Sequence, residues 1–110
     1  MDVQRKKGLL DVCVLAVLQR GPSYGYRIVR EVSGCVAISE STLYPILRRL
    51  ESGGCLTVYS VEHSGRLRKF YRITPEGVKV IDQFLSSWPE IQRVYDLIKE
   101  CAGNDAQRIS

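Results

Sequence analysis

The chain has 110 residues, 45% of them apolar. That is enough for one modest core and excludes a second. Sixteen Lys and Arg against twelve Asp and Glu give a net charge of +4, a balance that suggests a polyanionic partner without requiring one.

A first helix is predicted from about Lys7 to Gln19. It is apolar on nearly all faces from Leu9 to Leu18, so more than one neighbour must cover it. That run is interrupted by Asp11, far short of the roughly 20 residues that cross a bilayer, and has no small-residue cleavage site. The expectation is a cytoplasmic protein with no membrane partner. Arg5, Lys6 and Lys7 precede it as a basic cluster, read as a solvated N-terminus. Gly21-Pro22 stops this helix, and Ser23 is the predicted N-cap of a second, Tyr24 to about Val32. In that helix Ile28, Val29 and Val32 share one face.

A short connector leads to Ser39, which with Ser41 and Thr42 offers several caps for a third helix ending near Ser52. Leu43, Ile46, Leu47 and Leu50 form its buried stripe. The other face carries Glu40, Ser41, Tyr44, Arg48 and Arg49. A cap as late as Thr42 puts Pro45 in the tolerated first turn, whereas an earlier cap implies a bend.

After Gly53-Gly54 the period changes to that of strands, Leu56 to Val61 and Lys69 to Ile73. The polar segment Glu62 to Leu67 joins them as a β-hairpin. Thr74-Pro75-Glu76 opens a last helix reaching about Cys101. Its stripe of Val78, Ile81, Leu85, Trp88, Ile91, Tyr95 and Ile98 extends beyond what so small a body covers, and Pro89 implies a kink or break within it. Residues 103–110 read as a polar tail.

The predicted fold is therefore mainly α with a β-hairpin wing (α+β), a winged helix-turn-helix. Residues 1–74 form the DNA-binding domain and residues 75–102 a C-terminal dimerisation helix. The third helix is the expected reader of the major groove. Hydroxyls at its N-terminus (Ser39, Ser41, Thr42) suit phosphate oxygens, and Arg48 and Arg49 reach phosphates or bases. In the wing, Gly65 lets the backbone approach closely, and Arg66, Arg68 and Lys69 supply cations.

Chemistry of other kinds is not evident. Cys13, Cys35, Cys55 and Cys101 are scattered without a C-x-x-C pair, and His63 is the single histidine. Free reduced thiols are expected, with a redox switch as the lesser reading, and no metal or cofactor. No nucleophile–base constellation or P-loop occurs, so an enzyme is not expected. A winged-helix docking module that binds protein without DNA is the alternative function.

Three segments carry a resemblance. Gly21-Pro22-Ser23-Tyr24-Gly25-Tyr26 resembles the G-P-x-x-G-Y opening of the second helix in the PadR family of bacterial transcriptional regulators. Residues 41–51 resemble that family's T-L-Y-P-x-L-x-R-L-E recognition helix, and residues 65–77 its G-R-x-R-K-Y-Y-x-L-T-x-x-G wing. Tyr24 stands where the family often has His. The resemblance implies a repressor that binds a pseudo-palindromic double-stranded DNA operator as a homodimer, with Tyr24 beside the DNA-binding residues above. In its short subgroup the single C-terminal helix packs on the first helix and on its mate, which implies an interface of Leu10, Val14, Val78, Ile81, Leu85, Trp88, Ile91, Tyr95 and Ile98. Some relatives hold flat aromatic molecules between the paired last helices. Trp88 is thus either an interface core residue or, with Leu15, Phe84 and Ile91, the wall of a pocket for a small planar hydrophobic effector.

Overall fold

The computed structural model describes the backbone of residues 3–109 and the side chains of residues 8–103. The order is α1 (Val3–Gln19), α2 (Gly25–Ser33), α3 (Glu40–Ser52), β1 (Leu56–His63), β2 (Arg66–Ile73) and α4 (Pro75–Ile109). This is the winged helix-turn-helix that the periodicity predicts. The side chains of Arg5, Lys6 and Lys7 lie outside the described residues.

One core organises the body. Val14, Leu15 and Leu18 of α1 are buried with Ile28 of α2, Leu43 and Leu47 of α3, and Leu56 of β1. The leucine stripe of α3 faces inward in full, with Ile46 and Leu50 buried beside the other two. Tyr71 of β2 and Ile81 of α4 close the cluster.

Several element ends differ from expectation, each for a physical reason. Tyr24, not Ser23, occupies the N-cap position of α2, and its side chain makes no capping bond. Ser23 is buried, and its backbone pairs with Tyr71: its N–H donates at 3.1 Å and its carbonyl accepts at 2.8 Å. Ser39 caps α3, accepting from the Thr42 N–H at 3.3 Å. Pro45 therefore falls beyond the first turn, yet α3 runs on unbroken. The strands are longer than composition suggests because the turn is tight. Ser64 (φ 53) and Gly65 (φ 78) both adopt left-handed backbone between the paired residues His63 and Arg66, the two-residue turn whose twist matches a hairpin.

Thr74 caps α4: its hydroxyl accepts from the Gly77 N–H at 3.2 Å and donates to the Gly54 carbonyl at 2.6 Å. The helix spans 35 residues, about 52 Å at 1.5 Å per residue. It passes through Pro89 without interruption and continues to Ile109, past the expected end near Cys101 and through the segment read as a tail. The radius of gyration of 17.8 Å exceeds the roughly 13 Å of a compact chain this long, because α4 projects from the body. No described helix is long and apolar enough to cross a membrane.

Candidate nucleic-acid interface

The start of α3 gathers three hydroxyls. Ser39 Oγ lies 2.8 Å from Ser41 Oγ and 3.2 Å from Thr42 Oγ1. All three residues are exposed, at the helix end whose free N–H groups favour anions.

Beside them lies a groove of about 530 Å³ between the start of α2, the start of α3 and the wing, lined by Tyr24, Gly25, Tyr26, Glu40, Tyr44, Leu67, Arg68, Lys69 and Tyr71. Four of the sequence-derived site residues, Tyr24, Tyr44, Arg68 and Lys69, thus meet at one surface. Gly25 lets the Tyr44 ring lie close: a Cβ at this position would stand 2.8 Å from the Tyr44 hydroxyl oxygen and push that ring aside. Tyr71 at the base is buried, and burial raises its phenol pKa, with smaller contributions from Tyr44 and Glu51 that Arg48 opposes. It therefore stays neutral. Arg48 is exposed on α3 and has no ion pair among the described residues, but it is not one of the residues that line the groove. Gly65 and Arg66 form the exposed tip of the wing.

Arg49 is placed differently. It turns toward α1, where its guanidinium donates to Asp11 Oδ1 at 2.6 Å and Oδ2 at 3.4 Å. It is committed to holding α3 against α1 and is not grouped with Arg48.

Sequence reasoning missed Leu67 as a member of the groove, and also Arg27, which lies outside the groove and approaches the Tyr24 ring at 5.2 Å. Arg27 donates to Ser23 Oγ at 2.9 Å and to the Pro22 carbonyl at 2.7 Å, and Leu67 is 77% exposed on the wing. The four-residue spacing from Ser23 to Arg27 was the available signal for the first. Alternation along β2 was the signal for the second, since Leu67 shares a face with Lys69 and Tyr71.

A second concavity lies on the other side. A cleft of about 1010 Å³ runs between α1 and α4, with Leu9, Val12, Phe84, Trp88, Ile91 and Tyr95 among its walls and Asp11 as the sole charged residue among the described residues that line it. The rings of Phe84 and Trp88 are 6.2 Å apart. Leu15, expected as a wall, is instead wholly buried in the core. The same correction holds for Leu10, Val14 and Ile81, expected at a dimer interface: the chain's own core buries all three. An all-round apolar α1 allowed either assignment, and packing by α2, α3 and β1 decided it. Val78 and Ile91 are half-buried, while Leu85, Trp88, Tyr95 and Ile98 are exposed.

The sequence profile of the PadR-like family of transcriptional regulators matches residues 14–83, from mid-α1 into α4. The chain belongs to this family. An uncharacterised protein of Lysinibacillus sphaericus is 33% identical over 99 residues, covering 86% of this chain and 91% of its own length. A PadR family transcriptional regulator of Eggerthella lenta is 33% identical, with a TM-score of 0.77 over 89% of this chain and 88% of that one. PadR of Bacillus subtilis, solved in complex with operator DNA, shares the fold at 24% identity, with a TM-score of 0.65 over 70% of this chain and 46% of that chain. Across the family match the two cations of the groove, Arg68 and Lys69, sit on the wing strand beside the start of α3. No group of His, Cys, Asp or Glu among the described residues is arranged to hold a metal.

Proposed function

We propose that the chain is a homodimeric repressor that binds a pseudo-palindromic duplex operator in the cytoplasm. The start of α3 enters the major groove, and the wing follows the backbone or the minor groove. The observation that carries this reading is the single groove shared by Tyr44 of α3 and Arg68 and Lys69 of the wing, next to the Ser39–Ser41–Thr42 hydroxyl cluster. The operator complex of the Bacillus subtilis relative supports it by analogy of fold.

The dimer reading is supported by α4. Trp88, Tyr95 and Ile98 are 46%, 57% and 62% exposed, along a face that recurs at helical spacing. Since about half of each side chain is still exposed, a monomer that leaves such a stripe in water forgoes about 1 kcal/mol or somewhat more per large side chain, and a second copy of the helix would cover it. The α1–α4 cleft, with Phe84, Trp88 and Ile91 in its walls, supports a small planar hydrophobic effector that releases the operator.

Selection of bound fragments from the host genome, followed by mobility shift across a salt series, tests the first claim. A specific duplex should be retarded, with affinity falling steeply as salt rises. Retardation of no fragment would refute it and favour a protein-docking module. Tryptophan fluorescence during titration with planar hydrophobic compounds tests the effector, and an unchanged spectrum across the panel removes it.

A further inference from the structure

Helix α2 begins without a side-chain cap. Tyr24 holds the N-cap position with extended backbone (φ −122, ψ 164) and makes no capping bond, at a site where Ser, Thr, Asp or Asn would satisfy a free amide. Ser23, which has the capping chemistry, stands one residue early and is engaged by Tyr71 and Arg27. A residue that breaks a local rule is a place to look for function.

Tyr24 instead joins an aromatic–cation ladder. Its ring meets Phe70 edge-on at 5.5 Å, and Phe70 stacks on Tyr59 at 5.8 Å. The Arg68 guanidinium lies 4.2 Å from the Tyr24 centroid, nearer than Arg27 at 5.2 Å. Arg68 belongs to the wing and Tyr24 to the helix-turn-helix, and the Ser23–Tyr71 backbone bridge ties the two units at the adjacent residue. Stacking uses the face of a guanidinium and leaves its in-plane N–H donors free. Arg68 has no ion pair among the described residues. A long cationic side chain normally loses rotamer freedom when it captures a phosphate, and one already held on a ring loses less.

We propose that Tyr24 is a positioning residue for DNA binding: its ring holds the Arg68 guanidinium ready for the duplex, and its hydroxyl takes no part. The proposal rests on the DNA-binding reading above. It assigns to Tyr24 an effect exerted through Arg68 rather than a contact of its own.

The test is a double-mutant cycle, read by fluorescence anisotropy on the genome-selected operator duplex over a salt series. Tyr24→Phe keeps the ring and should bind within about two-fold of the wild type. Tyr24→Leu should bind roughly two- to thirty-fold more weakly per half-site, the affinity equivalent of one cation–π contact in each protomer. Its salt dependence should be unchanged, because the Arg68 charge remains. Arg68→Ala should lower the slope by about 0.9 per half-site, about 1.8 for the homodimer on its operator, and Tyr24→Leu should then add nothing further. Tyr24→Ser restores a capping hydroxyl at the start of α2 while removing the ring. It should bind as weakly as Tyr24→Leu even if its thermal midpoint rises, which separates positioning from folding. Additive losses in the cycle, a Phe variant as weak as the Leu variant, or a Ser variant of wild-type affinity would overturn the proposal while leaving DNA binding intact. A wild-type protein that binds no duplex would overturn the DNA-binding reading and the proposal together.

Discussion

Replacing Arg48 and Arg49 by Ala, one at a time, separates a cation that α3 offers to a polyanion from one it has already committed. Arg49 is bound to Asp11 at 2.6 Å, with side chains 46% and 21% exposed. A pair this open to solvent contributes about 0.2–1 kcal/mol, or a few degrees of thermal midpoint for a domain of this size. Arg48 is exposed on α3 and has no carboxylate partner among the described residues. If it neutralises one phosphate in each half-site, Arg48→Ala in the homodimer lowers the slope of log affinity against log salt by about 1.8, or roughly sixty-fold in affinity near 0.1 M salt. Arg49→Ala should leave that slope unchanged and lower the melting temperature instead. Anisotropy titrations at several salt concentrations, with thermal melts of the free proteins, read both quantities. An Arg49→Ala slope reduced as much as that of Arg48→Ala would refute the reasoning, since the ion pair to Asp11 would then have to open on DNA.

Three other outcomes follow from the packing and the titrating groups. Gly77→Ala should destabilise, although Ala is favoured in a helix by about 1 kcal/mol. The new Cβ would stand 2.6 Å from Ile73 Cγ1 and press on the Cys55 carbonyl oxygen, and overpacking costs about 1–3 kcal/mol. A raised urea midpoint would contradict this. Ile98→Glu puts a carboxylate on the exposed stripe of α4 and should shift the protein toward monomer in sedimentation while the far-ultraviolet spectrum is kept; an undisturbed dimer would remove Ile98 from the interface. The Cys13 thiol is raised above its ordinary pKa of 9.0, first by burial and then by Cys35. The folded chain therefore keeps a proton that the unfolded chain loses, so this stability is complete below pH 9.0 and declines as pH climbs through the raised value. Cys13→Ala should flatten that alkaline decline in the denaturation midpoint, and a decline unchanged by the substitution would show that Cys13 does not cause it.

Features set by neighbouring residues were legible in the chain. The inward stripe Leu43, Ile46, Leu47 and Leu50, the Thr74-Pro75-Glu76 start of α4 and the turn-bearing hairpin follow from periods and caps that act within a few residues. The motifs around residues 21–26, 41–51 and 65–77 carried the family in the same way. The groove was legible in its composition, a hydroxyl-rich helix start with a basic wing, but not in its membership. Arg48 and Arg49 are equivalent by residue type. Only Asp11, 38 residues from Arg49, distinguishes them.

The amino-acid sequence by itself thus determined the element order, the face that α3 buries and the family, because each rests on short-range chemistry that the backbone imposes wherever the segment lies. Tertiary structure alone decided which side of the apolar α1 goes inward, burying Leu10, Val14 and Leu15 rather than leaving them for a partner or ligand. It also decided that Ser23 pairs with Tyr71 and so leaves Tyr24 at the head of α2 under the Arg68 guanidinium. Both outcomes depend on contacts between segments far apart in the chain, where competition for buried surface and for backbone hydrogen bonds overrides local preference.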